Sequence, residues 1–78
     1  MKNIDVARAW SRGEAAHTAH LRTDGADLYS YRLRIGYTDA QGYKVALVYR
    51  AGTPLGFVSQ TTSKHVGLAL RYSDVRSA

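Results

Sequence analysis

The chain has no cysteine, a single proline and only six acidic residues among its 78. Without thiols it forms no disulfide, thiolate nucleophile, iron–sulfur cluster or cysteine-based zinc site. No apolar run approaches the roughly 20 residues that span a bilayer. The opening Met1-Lys2-Asn3-Ile4-Asp5 lacks the uninterrupted apolar stretch of a signal peptide. Neither a membrane partner nor a leader is therefore expected. No nucleophile elbow, metalloprotease signature or Gly-rich phosphate loop frames the Ser, His and Asp residues, so no enzymatic activity and no cofactor are expected. His17, His20 and His65 are the only good metal ligands. With no clustered acidic partner they predict no metal site.

What is present is positive charge. Eleven Lys and Arg against six Asp and Glu give a net charge of +5, which favours a negatively charged partner. Apolar residues at 45% and charged residues at 22% describe an ordinary globular chain, with length for one domain over 1–78 and one small core.

Ile4, Val6, Ala7 and Trp10 recur near helical spacing, with Asn3 as N-cap and Gly13 as stop, and predict a short helix whose face is Ile4, Ala7 and Trp10. Glu14 to Thr23 reads as a strand entering the Asp24-Gly25 turn. Tyr29, Tyr31, Leu33, Ile35 and Tyr37 then occupy alternate positions, as in one long strand with a second face of Ser30, Arg32, Arg34 and Gly36. Asp39-Ala40-Gln41-Gly42 predicts a three-residue hairpin with a left-handed Gly42, setting Tyr37 opposite Val45 and Leu33 opposite Tyr49. Tyr43, Val45, Leu47 and Tyr49 alternate with Lys44, Ala46, Val48 and Arg50. Leu55 to Gln60 reads as a further short strand. A C-terminal helix is expected from about Ser63 to Tyr72, capped by Thr61, Thr62 or Ser63, with a fraying tail from Ser73. The fold class is α+β: an antiparallel sheet of three to four strands with a short N-terminal helix and a C-terminal helix on one face.

On this pattern the partner-binding surface is cationic: Arg32, Arg34, Lys44 and Arg50, with Arg22 added. Arg32 and Arg50 would face each other across the sheet, a repulsion that DNA, RNA or an acidic protein surface would relieve; a solvated face that discourages edge pairing is the plainer alternative. The tyrosines fall on the opposite, apolar side, which argues for core packing rather than base stacking. Thr62, Ser63 and Lys64 form a candidate anion site at the start of the second helix, although an ordinary cap explains them equally well. An exposed sheet edge allows a homodimer.

The stretches Thr23-Asp24-Gly25, Leu28-Tyr29-Ser30-Tyr31, Ile35-Gly36 and Thr61-Thr62-Ser63-Lys64-His65-Val66 resemble a family of small uncharacterised proteins of phages, prophages and other mobile elements. The resemblance spans roughly residues 13 to 72 and brings no catalytic residues. It implies a phage-encoded protein in the cytoplasm of a bacterial host. By analogy with anti-CRISPR proteins, it implies a binding protein that inhibits a host defence protein or ribonucleoprotein complex. A nucleic-acid-binding phage accessory or regulatory protein is the alternative.

Overall fold

The computed structural model of the protein describes residues 1–49, 56 and 59–77. Helix α1 (Asn3–Ser11) precedes β1 (Ala16–His17), β2 (Leu21–Thr23), β3 (Leu28–Ser30), β4 (Leu33–Thr38) and β5 (Lys44–Leu47). Helix α2 (Gln60–Tyr72) and β6 (Val75–Ser77) follow. The α+β class is as expected, but the described residues form a mixed sheet of six strands in the order β1-β2-β3-β4-β5-β6. The first five make an antiparallel meander. β6 lies parallel to β5, reached through α2, where a fraying tail was expected. Of the strand expected over Leu55 to Gln60, Leu55, Phe57 and Val58 lie outside the described residues, while Ser59 is the N-cap of α2 and Gln60 its first residue.

Both helices cover one face. Val6, Trp10, Leu21, Leu28, Ile35, Ala46, Val66 and Ala69 form the core between them and the sheet. The buried face of α1 is Val6, Ala7 and Trp10, with Ile4 only half-buried, so the helix is rotated from the expected face. Its N-cap is Lys2, whose amide donates to Asp5 Oδ2 at 2.9 Å. Asn3 is therefore the first helical residue, and its side chain is free to reach elsewhere.

The expected long strand from Leu28 to Tyr37 is two strands. Ser30 pairs with Leu33 around a two-residue turn at Tyr31-Arg32, and Tyr31 takes a left-handed φ of 57°. That pairing joins an even position to an odd one, so the alternation reverses. Leu33 packs against the core, while Tyr29, opposite Arg34, points away. A bulge reverses it again: Leu28 pairs with Gly36 and Tyr29 with Arg34, leaving Ile35 as the extra residue. Ile35 and Gly36 both turn toward the helices, and Tyr37 turns away, opposite Val45. The Asp39–Tyr43 connection is the hairpin expected, with Gly42 at φ 89° and its amide donating to the Asp39 carbonyl at 3.0 Å.

The bulge brings Gly36 beneath the Trp10 indole. A methyl group on Gly36 would lie 2.7 Å from Trp10 Cζ2, closer than any real carbon contact. Ala46, the Gly36 partner on β5, is equally small and fully buried. Gly36→Ala should cost about 1–3 kcal/mol through overpacking. Gly67→Ala, in open space on the exposed side of α2, should gain up to about 1 kcal/mol. Urea unfolding of both variants checks the contrast; equal and small effects would remove the indole from its central place.

Candidate functional site

The face turned away from the helices carries a row of side chains drawn from four strands. His17 pairs with Arg22, Arg22 with Tyr29, and Tyr29 with Arg34. At about 4.8 Å between strands the row is about 14 Å wide. The Arg22 guanidinium lies 4.4 Å from the Tyr29 ring centroid, and that of Arg34 lies 5.0 Å from the Tyr37 centroid. Arg34 and Tyr37 are three residues apart and share a face only because of the bulge between them. The Tyr29 hydroxyl donates to Asp27 Oδ2 at 3.3 Å, which fixes the ring edge.

Rings and cations therefore interleave on one surface, the reverse of the separation expected from alternation. A guanidinium stacked on a ring keeps its in-plane N–H groups available for phosphate or base edges. Among the described residues the one ion pair is Arg8 with Asp5, at 3.8 Å on α1. Arg22 and Arg34 thus have no carboxylate within ion-pairing distance among those residues. The ring of Tyr29 also spaces the two like charges apart.

The other expected cations are distributed differently. Arg32 is exposed at the tip of the β3–β4 hairpin rather than on the sheet face. Arg50 lies outside the described residues. Lys44 is buried on the helix side, contrary to its expected place on the basic face. Its Nζ donates to the Gly25 carbonyl at 2.6 Å and to Thr38 Oγ1 at 2.7 Å, and sits 5.9 Å from the Trp10 ring. Burial pushes its pKa down, opposed by Asp74, Asp24 and Asp27. The physical reason is room: Gly36 and Ala46 leave that side to the indole and to a long, thin side chain.

The expected anion site is also rearranged. α2 begins three residues earlier, with Ser59 as N-cap accepting from the Thr62 amide at 3.2 Å. The Ser63 amide donates to the Ser59 carbonyl at 2.8 Å. Thr62 is buried and Ser63 half-buried inside the helix, and Lys64 alone is exposed. The amides that would hold an anion at Thr62 and Ser63 are already used.

His65 is buried, with Nδ1 2.6 Å from Ser30 Oγ and Nε2 3.3 Å from Asn3 Nδ2. Asn3 Nδ2 can only donate, so His65 Nε2 is the acceptor and Nδ1–H the donor toward Ser30 Oγ, which lies 3.1 Å from Thr62 Oγ1. Nε2 then accepts from Asn3, whose Oδ1 accepts from Thr18 Oγ1 at 2.6 Å. Every member is satisfied with a neutral ring, and the chain of bonds ties α1, the β1–β2 turn, β3 and α2 together. Ser30 and His65 are 1% and 2% exposed, which keeps the pair from any substrate. Tyr31 roofs the ring, its centroid 6.2 Å from His65 and 5.2 Å from His20. Among the described residues no group of three or more metal-ligating side chains forms.

Comparison of the chain with protein-family models, curated proteins and solved structures gives no match. No helix among the described residues is long and apolar enough to cross a membrane.

Burial, then the nearby His20, holds the His65 pKa below its ordinary value. The contribution of this ring to stability is complete above the unfolded-state pKa of about 6.5 and declines as pH falls below it, because the unfolded chain then takes up a proton that the native ring refuses. Denaturant midpoints between about pH 7.5 and 5 should fall in the wild type and fall less in His65→Asn. Parallel profiles would show that His65 titrates alike in both states.

Proposed function

We propose that the protein binds single-stranded nucleic acid across the outer face of its sheet. The observation that carries this reading is the row Arg22-Tyr29-Arg34, continued by Tyr37, in which cations and rings alternate on a surface that neither helix covers. Arginines supply the charge that phosphates need, and stacked rings and guanidinium planes accept exposed bases. Paired bases inside a duplex offer no such faces, so a single strand fits better. The net charge of +5 acts in the same direction by drawing in a polyanion.

An inhibitor of a host defence complex, the reading that the phage resemblance implies, draws on the same exposed Arg22, Arg32 and Arg34. It has less support, because an acidic protein surface would pair with the cations and leave the interleaved rings without a role. The two proposals differ in what the isolated protein does with an oligonucleotide alone.

Fluorescence anisotropy with a labelled single strand should show binding at low salt that weakens as salt rises, by a log–log slope of about 0.7 per phosphate engaged. Arg34→Gln should lower that slope by about one such step. Tyr29→Leu keeps an apolar residue on the strand but removes the stacking surface, and should weaken binding about tenfold with little change in slope. The same sequence as a duplex should bind less tightly. No binding of any strand at about 50 mM salt would overturn the proposal and leave the protein-inhibitor reading.

A further inference from the structure

An open cavity of about 280 Å³ lies at the β1 end of the row, lined by Ala15, Ala16, His17, Arg22, Thr23 and Asp24. Its two charged groups have opposite sign and different freedom. Arg22 rests on Tyr29 and makes no hydrogen bond to the described residues, although its charge acts on the nearby Asp24. Asp24 Oδ1 accepts the amides of Ala26 and Asp27 at 2.9 and 2.8 Å, which fixes the carboxylate. Apart from the Asp24 amide itself, the carboxylate has no other donor among the described residues. The Asp27 and Ala26 amides also hold the Asp24 pKa below the ordinary carboxylate range.

A fixed anion is a poor lining for phosphate, which it repels. It is a strong acceptor for N–H groups on a base edge, since hydrogen bonds with an ionised partner are roughly twice as strong as neutral ones. We propose, resting on the single-strand reading above, that this cavity takes a guanine base of the bound strand. The guanine edge sets a carbonyl, O6, beside two adjacent donors, N1–H and the N2 amino group. Arg22 donates to O6, and Asp24 Oδ2 accepts from the donor pair. Thymine places its one N–H between two carbonyls that the carboxylate repels. Adenine and cytosine offer one amino group beside a ring-nitrogen acceptor. Guanine alone gives the carboxylate two neighbouring donors.

Oligo-dT strands carrying a single dG, dA or dC provide the test, read by competition against plain oligo-dT. Wild type should prefer the dG strand over the dA strand by about tenfold. Asp24→Asn retains Oδ1 for both backbone amides but replaces Oδ2 with an amino donor. It should lose the dG preference while binding plain oligo-dT at least as tightly as wild type, and that retained affinity reports an intact fold. If wild type binds every strand with equal affinity, the guanine site is wrong and the single-strand interface stands. If it binds none, both fall.

Discussion

The architecture turns on one close contact, the Trp10 indole packed directly against Gly36. Trp10 is fully buried, and no other residue type at position 36 admits the ring at that distance. The contact is anchored at its edge: Trp10 Nε1 donates to the Ala26 carbonyl at 3.0 Å, and Thr38 Oγ1 donates to the same oxygen at 2.8 Å. The indole thereby ties α1 to the β2–β3 turn and to the middle of the sheet in one side chain. Because the bulge in β4 presents Gly36 to the helix, it also turns Arg34 and Tyr37 outward together. Core and outer surface are thus two consequences of the same local irregularity.

Much of the fold can be read directly from residue types. The helical spacing in residues 3–10 and 63–72, the turn at Asp24-Gly25 and the three-residue hairpin at Asp39–Tyr43 each rest on strong local chemistry, whereas Gln60 at the start of α2 reads as strand. The pairing of Tyr37 with Val45 follows from that hairpin. The hairpin at Tyr31-Arg32 left no such trace, since two-residue turns announce themselves by Gly, Asn or Asp. A tyrosine at left-handed φ costs roughly 1–2 kcal/mol in isolation. Here the strain is offset by the Tyr31 amide donating to the His20 carbonyl at 2.9 Å, and by the ring packing over His20 and His65. Such offsets are tertiary, so no local pattern reveals them.

The same turn and bulge put the make-up of the outer surface beyond the reach of strand alternation. Strand alternation carries a residue's face forward only while pairing stays regular. Across Tyr31-Arg32 the parity inverts, and at Ile35 it inverts back. Tyr29 and Tyr37 consequently share a face that excludes Leu33 and Ile35, although all four occupy odd positions. The cationic character of the region was legible because arginine frequency does not depend on register. Which cations meet which rings depends on nothing else.

The placement of the two kinds of cation follows the chemistry of their ends. The buried one is a lysine, whose three compact donors suit a small cage of the Gly25 carbonyl, the Thr38 hydroxyl and the Trp10 ring. The cations of the outer row are arginines, whose flat, weakly hydrated guanidinium lies on a tyrosine while its edge still donates outward. An ammonium in the outer row would stay hydrated where a guanidinium stacks. Net positive charge is therefore divided between two environments: one cation packs beside the indole inside, and others form an outer surface that combines charge with aromatic area.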